Sequence, residues 1–267
     1  MLLFAIAAAH AATWTPDLRP SRQLAYGCRV EGQEGDSLVR IEVLEAHEEG
    51  ATLRFAFGQE RPFELSVDAG GVPLAVLHSA RLGALWREQA LAEIHGHEGR
   101  GDTPVDLLEA VEGVIQVTTD EDLSGHALAR AGRFLPPQLG EDEQVSALLP
   151  HPLHRAGTPS SGTLSSSGPG AYELHLSADG QTLSQMSLRV IQAANPDGEV
   201  KGAFMMMGLL SVEENRTLVV SGRSGWPRSL RTEVMVASPV GQAAPTVELC
   251  ERVSARRARR LIREASE

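Results

Sequence analysis

The stretch RIEVLEAHEEGATLRFAF, residues 40–57, decides the fold that the rest of the sequence favours. Apolar residues recur at every second position through most of it, and Glu48-Glu49-Gly50 interrupts them, which is typical of a β-hairpin. A second stretch, SLRVIQAANPDGEVKGAF at residues 187–204, aligns with it so that Phe204 matches Phe57. Asn195-Pro196-Asp197-Gly198 supplies strong turn chemistry at its centre. We interpret the match as a duplicated hairpin, with a chance match as the alternative.

The remaining chain continues this β pattern on both sides of a helical middle. Alternation and short turns predict further strands at residues 23–30, 62–67, 72–78, 171–176, 183–193, 217–221, 229–236 and 246–253. Apolar spacing and capping residues predict helices at 80–94, 105–112, 120–131 and 141–149, with a short strand at 114–118. We therefore expect a mainly β (α+β) protein, with two related antiparallel curved sheets or half-barrels and a helical insertion between them.

Changes in composition predict the domain boundaries. Residues 156–170, AGTPSSGTLSSSGPG, are rich in Ser, Gly and Pro and predict a flexible linker. The predicted segments are a signal peptide at 1–12, a first β half at 13–78, a helical insertion at 79–155, the linker at 156–170, a second β half at 171–253 and a basic C-terminal helix or tail at 254–267.

Composition narrows the class of partner. The 267 residues are 42% hydrophobic and 22% charged, which is ordinary for a globular protein with a core. A formal net charge of −11 argues against nucleic acid as the main partner, because nucleic acid requires a basic footprint. Lys201 is the only lysine among the basic residues, a usage typical of a GC-rich bacterial genome. The five arginines of 256–263 make the C-terminus locally basic, which indicates either a solvated helix end or a docking site for an anionic surface.

The first residues, MLLFAIAAAHAA, predict export. They form a short apolar run that ends in small residues, and Ala9-His10-Ala11 fits the small-x-small rule of signal peptidase. A buried N-terminal helix or strand is the alternative. No later run is apolar enough to predict a transmembrane helix. We expect an exported protein of the periplasm or extracellular space.

The two cysteines, Cys28 and Cys250, stand near the ends of the chain in strand-like surroundings. Two cysteines in an exported protein favour one disulfide, which requires the first and last strands to be neighbours. Two separate buried thiols are the alternative reading.

Histidine pairs are the only candidate metal ligands. His95 with His97, and His151 with His154, stand in Gly- or Pro-broken segments without a further ligand at a recognised spacing, so we expect surface histidines and no metal. No nucleophile elbow, phosphate-binding loop or dinucleotide fingerprint occurs, and we expect no cofactor.

The most apolar stretch after the N-terminus predicts the ligand site. Methionine is flexible and polarisable, so a Met-rich strand on a curved sheet suits an apolar pocket, although a simple core strand explains the same residues. The predicted ligand-binding residues are Phe204, Met205, Met206, Met207, Leu209 and Leu210.

A weak resemblance rests on two turns between predicted strands, Gly71-Val72-Pro73 and Gly225-Trp226-Pro227. The strand, Gly-x-Pro turn, strand unit resembles that of bacterial secreted or lipoprotein-like β domains of uncharacterised function, and more remotely the half-barrels of periplasmic lipoprotein carriers. The resemblance implies a β architecture and no catalytic residue. Our leading hypothesis is a non-catalytic exported binding or structural protein that binds an apolar small molecule or an envelope component. The alternative is a hydrolase, and a cluster of His, Asp and Ser in one cleft would favour it.

Overall fold

A computed structural model describes residues 14–98, 105–140, 144–152, 154–194, 210–238 and 241–264. Its main feature is one antiparallel sheet that curls into a nearly closed, barrel-like form. The N-terminal strands are β1 (Gln23–Val30), β2 (Ser37–His47), β3 (Gly50–Phe57), β4 (Phe63–Asp68) and β5 (Pro73–Leu77). The later strands are β6 (Gln138–Leu139), β7 (Gln144–Pro150), β8 (Gly157–Gly168), β9 (Ala171–Ala178), β10 (Ser211–Val220), β11 (Pro227–Ser238), β12 (Gly241–Gln242) and β13 (Thr246–Arg252).

The strand order joins the two β halves at the chain's first and last strands. It runs β5-β4-β3-β2-β1-β13-β11-β10-β9-β8-β7-β6, and β12 pairs with β11. Cys28 of β1 is in register with Cys250 of β13, and their sulfur atoms lie 2.10 Å apart, which is disulfide distance. The prediction that the terminal strands are neighbours is confirmed.

The described residues form five helices. They are α1 (Ser79–Glu98), α2 (Val105–Val117), α3 (Asp120–Ala131), α4 (Gly180–Ala194) and α5 (Ala255–Glu264). Helix α3 packs against β5 at one end of the sheet and against β7 and β8 near the other, so it bridges the gap that the strands leave open. Among the described residues, no helix is long and apolar enough to cross a membrane.

Alternation along the strands builds one core inside the curved sheet. In β4, for example, Phe63, Leu65 and Val67 are buried whereas the residues between them are partly exposed. The core continues through β1 to β3 and β9 to β11, and it includes Ala127 and Ala131 of α3. A smaller cluster on the outer face holds Leu261 of α5 against Leu38. The expected mainly β (α+β) class is confirmed, as is the first hairpin, but the strands form one sheet rather than two. Of the helical insertion predicted at 79–155, the first part holds α1 to α3, whereas the last part forms β6 and β7.

The predicted duplication is wrong where the structure describes it. Residues 187–194 lie in α4 rather than in a hairpin strand, and the strand predicted at 183–193 is helical too. Leu183, Ser187 and Val190 are buried at three- and four-residue spacing, which is one helix face and not alternate faces of a strand. Asp179 begins this helix by accepting a hydrogen bond from the Thr182 amide. Residues 195–204 lie outside the described part.

Two predictions near the middle of the chain are also wrong. The helix predicted at 141–149 is strand β7 from Gln144, because Val145 and Leu149 pack into the core while β8 pairs with the backbone. The flexible linker predicted at 156–170 is largely strand β8. Its small residues allow close pairing, since a Cβ at Gly162 would lie 1.8 Å from the His175 carbonyl oxygen of β9.

The short strand predicted at 114–118 is wrong as well. Helix α2 continues through Gly113 to Val117, so this glycine does not end it. A Cβ at Gly113 would lie 2.3 Å from the Ala193 carbonyl oxygen, and the missing side chain therefore lets α2 and α4 pack closely.

Candidate ligand-binding cavity

A cavity lies between the helices and one end of the sheet. It holds about 750 Å³, within the range of small-molecule sites in proteins. Helices α1, α2 and α3 form its walls, together with the turn from β3 to β4 and the turn from β7 to β8. Its apolar lining consists of Phe63, Leu82, Leu85, Trp86, Ala90, Ile94, Val111, Val114, Ile115, Leu123 and Ala127.

Helical spacing places these side chains on one side. In α1, Leu82, Leu85, Trp86, Ala90 and Ile94 recur at intervals of three and four residues, which brings them onto one helix face. Val111, Val114 and Ile115 of α2 line the cavity at the same spacing, and Val111 remains 41% exposed. Because three such faces meet over the sheet, they enclose an apolar space that no single segment predicts.

Charged residues stand at the rim of the cavity. Arg130 donates to Glu60 over 2.5 Å, and its guanidinium carbon lies 3.9 Å from the centre of the Phe57 ring. Arg155 is 3.9 Å from the other Glu60 oxygen and 5.6 Å from the centre of the Trp86 ring. Arg61 also lines the cavity, and it forms no ion pair with any described residue. Glu60 thus contacts two of these arginines, and Arg61 adds a third to the cavity lining.

Three histidines line the inner part of the cavity, and their surroundings favour the neutral form. Burial, with the positive charges of Arg130 and Arg155, lowers the pKa of His126 to about 3. Burial likewise lowers the pKa of His151 to about 4. Burial also lowers the pKa of His154, although Asp122 opposes the shift. At neutral pH these rings add polar atoms but no charge.

Ser187 and Asp122 approach the histidines without forming a catalytic triad. Ser187 Oγ is 3.2 Å from His151 Nε2, whereas Asp122 lies 3.6 Å from the other histidine, His154. Ser187 is fully buried and donates to the Leu183 carbonyl of its own helix, so its hydroxyl is directed away from any substrate. A base with the lowered pKa of His151 is also a weak acceptor for its proton.

Asp122 stabilises the start of α3. It forms a capping box with Thr119 and accepts a hydrogen bond from Arg189 of α4 over 2.6 Å. Burial alone would raise the pKa of Asp122, but the hydrogen bonds from Arg189 and Thr119 lower it. The carboxylate therefore ties α3 to α4.

A smaller polar pocket of about 490 Å³ adjoins the cavity. The two spaces share Glu60, Gln89, Arg130 and Arg155 as lining residues. The pocket is also lined by Arg133, which donates to Glu214 over 2.6 Å and to Glu248 over 3.0 Å.

Glu214 is held ionised inside the sheet. Arg216 contacts it from the same strand, and both side chains are almost fully buried. Burial would raise the pKa of Glu214, but Arg133 and Arg216 lower it. Ion pairs therefore fix the inner wall of the polar pocket.

The predicted site residues fall in different places. Phe204 to Leu209 lie outside the described residues, and Leu210 is buried in the main core rather than on the cavity lining. His95 and His97 belong to α1 and not to a broken loop, and their side chains are not described. His151 and His154 are 5% and 8% exposed, so the prediction that they lie on the surface is wrong. The tight turn between β7 and β8 folds both inward against α3 and α4.

Among the described side chains, the only group of three His, Cys, Asp or Glu ligand atoms at mutual coordination distance is Cys28, Glu248 and Cys250. Two of these are the disulfide partners, whose sulfur atoms are already bonded to each other.

Sequence reasoning missed Trp86, His126 and the three rim arginines. The apolar spacing of α1 and α3 was a usable signal for inward faces, but it does not tell a cavity from a packed core. Glu60 and Arg155 lie far apart in sequence and meet only because α3 bridges the ends of the sheet.

Comparisons with known proteins do not assign the chain to a family. No known protein family matches the chain, and no curated protein matches it. A solved structure titled "Lipid-protein interactions in lipovitellin" is similar over 88% of this chain and 25% of that chain, with 9% sequence identity and a TM-score of 0.34. The chain thus spans about a quarter of that chain's length, and a likeness at this TM-score carries no argument about function.

Proposed function

We propose that the protein is a non-catalytic binding protein for an apolar, lipid-like small molecule, and that the ligand occupies the cavity between α1, α2, α3 and the sheet. The observation that carries the proposal is the cavity itself, with a volume of about 750 Å³ and apolar side chains from three helices and β4. Burial of apolar ligand surface against such walls contributes roughly 25 cal/mol per Å² before the costs of association.

A hydrolase is the less favoured reading. The structure brings Ser187, His151, His154 and Asp122 into one neighbourhood, which is the kind of cluster that would favour an enzyme. However, Ser187 does not line the cavity, and its hydroxyl donates its proton to the Leu183 carbonyl. Ser187 lies next to His151, whereas Asp122 lies 3.6 Å from His154. The cluster is better explained as a buried polar junction between α3, α4 and the turn from β7 to β8.

We also propose that the protein works outside the cytoplasm, in the periplasm or extracellular space. The Cys28 and Cys250 sulfurs at bonding distance support this, because structural disulfides persist in oxidising compartments. The apolar start of the sequence supports it independently. N-terminal sequencing of material recovered from the periplasm or medium tests the proposal, and a retained Met1 in purely cytosolic protein would contradict it.

The Met-rich segment remains a proposed contributor to binding. Met205, Met206 and Met207 would add flexible apolar surface if they reach the cavity. Replacement of Met206 by Asp tests this part separately, because loss of binding in a folded variant would support it and unchanged binding would contradict it.

The cavity can be tested by filling it. Ala90 and Ala84 both belong to α1, but Ala90 lines the cavity whereas Ala84 is exposed. We expect Ala90→Trp to abolish the calorimetric binding of dodecanoic acid, because the indole occupies the ligand's space, while the matched Ala84→Trp binds like the wild type. Equal binding by the two folded variants would contradict the cavity as the site.

A further inference from the structure

Charge around the cavity points to the class of ligand. The described residues that line the cavity include three arginines, Arg61, Arg130 and Arg155, but only one carboxylate, Glu60. This local excess of positive charge occurs in a protein whose formal net charge is −11. An unbalanced group of guanidinium ions beside an apolar space suits a ligand that brings its own negative charge.

We propose that the ligand is an anionic amphiphile, whose apolar chain fills the cavity and whose acid group binds between Arg130 and Arg155. This inference rests on the proposed function. Both arginines line the apolar cavity and also the adjoining polar pocket, so they lie at the boundary between the two spaces. An acid group at that boundary keeps its charge in the polar space while its chain stays among apolar side chains.

Glu60 occupies the acid group's place in the ligand-free protein. Its Oε2 atom accepts from Arg130 over 2.5 Å, whereas its Oε1 atom lies 3.9 Å from Arg155, too far for a hydrogen bond. Arg155 is thus only loosely engaged, and 45% of its side chain is exposed. A ligand carboxylate or phosphate can take up the donors of Arg155 without breaking a tight ion pair.

Glu60 also argues against the other kinds of head group. A cationic head would face three arginines, and Glu60, the one carboxylate among the described residues that line the cavity, is already held by Arg130. A neutral head would make no use of the attraction that the guanidinium groups of Arg61 and Arg155 offer to a negative charge. The anionic head therefore fits the described charges better than either.

The test compares an acid with the alcohol of equal chain length. We expect the wild type to bind dodecanoate about tenfold or more tightly than 1-dodecanol at pH 7.5, because hydrogen bonds to charged groups are the stronger kind. Arg155→Gln should remove most of that preference, because it should weaken dodecanoate binding much more than 1-dodecanol binding. Arg223→Gln is the matched control, since Arg223 is exposed in the turn between β10 and β11 and does not line the cavity.

The outcomes separate this inference from the proposed function. Equal affinity of the wild type for acid and alcohol overturns the anionic head group but leaves the apolar site standing. Binding of neither compound overturns both. A preference for acid that Arg155→Gln and Arg223→Gln reduce equally overturns the placement of the acid group, because only overall charge would then matter. Glu60→Gln gives an independent test, and we expect it to tighten dodecanoate binding by freeing Arg130 and so to raise the preference for dodecanoate over 1-dodecanol; a lower preference would overturn the placement of the acid group.

Discussion

Cys28 and Cys250 lie directly opposite each other on neighbouring antiparallel strands, although 222 residues separate them in the sequence. Their pairing joins the first strand to the last at the place where the two β halves meet. The covalent link therefore holds together the strand pair on which the continuous sheet depends.

Removal of the disulfide is expected to destabilise the protein strongly. A loop of this length contributes about 5 kcal/mol to the free energy of unfolding in the chain-entropy model. We expect the double variant Cys28→Ala, Cys250→Ala to lose an amount of that order in urea unfolding. Addition of a reductant should weaken the wild type but not the variant. A variant as stable as the oxidised wild type would contradict the link.

The two adjacent glutamates of β10 provide a test of the buried charges. Glu214 is fully buried between Arg133 and Arg216, whereas Glu213 is partly exposed on the opposite face and forms no ion pair with a described residue. Removal of one member of a buried ion pair leaves the others uncompensated, so Glu214→Gln should cost about 3 kcal/mol. Glu213→Gln should change the free energy of unfolding by less than about 0.5 kcal/mol. Equal costs in urea unfolding would contradict the buried cluster.

Neutral histidines should make the protein sensitive to mild acid. The pKa of His151 falls from 6.5 to about 4 on folding, because burial disfavours the charged ring, and His154 and Arg189 add to the shift while Asp122 opposes it. As the pH falls, the unfolded chain therefore binds a proton at this ring near pH 6.5, whereas the folded chain binds it only near pH 4. The stabilisation is complete above pH 6.5 and declines as the pH falls through that window.

Replacement of this histidine should reduce the acid sensitivity. We expect His151→Gln to recover about 1 kcal/mol of the free energy that the wild type loses between pH 7 and pH 5, measured by urea unfolding at both pH values. His47→Gln is the control, because His47 is exposed at the end of β2. If His151→Gln, like the control His47→Gln, loses as much free energy of unfolding between pH 7 and pH 5 as the wild type, then His151 is not buried as a neutral ring.

The sequence correctly predicted those helices and strands whose apolar spacing and end residues fit only one type of secondary structure. The hairpin at 40–57 and strand β4 alternate cleanly, and α3 begins at a Thr119 cap with an acidic first turn. The apolar residues of 183–193 fit either a strand or a helix, and the choice is made by packing of Leu183, Ser187 and Val190. Local propensity cannot supply that information.

Strand β8 shows why composition misled. Its Ser, Gly and Thr residues resemble a linker, yet Gly162 permits close approach to β9, and Ser160 donates to the Ala147 carbonyl of β7. Gly157 lies so close to Gly125 that a Cβ there would stand 2.3 Å from the Gly125 carbonyl oxygen. Small residues serve here to let α3 approach the sheet, which is a tertiary requirement that no single segment displays.

The cavity follows from the same approach of α3. It depends on three helix faces and on Arg155, which reaches Glu60 and Trp86 only after the sheet has curled. The spacing of histidines in the sequence did not predict the burial of His151. It also did not predict that His126 lines the cavity, since His126 has no histidine partner nearby in sequence.

Trp86 permits the most direct measurement of the central claim, that an apolar ligand binds in this cavity. It is one of three tryptophans and lines the cavity, whereas Trp14 and Trp226 are buried in the main core. Dodecanoic acid brominated at its terminal carbon quenches indole fluorescence only on close approach. We predict saturable, one-to-one quenching of the wild type and loss of that saturable component in Trp86→Phe, with calorimetric binding retained. Quenching that does not saturate, or that is unchanged in Trp86→Phe, would contradict ligand binding between α1, α2 and α3.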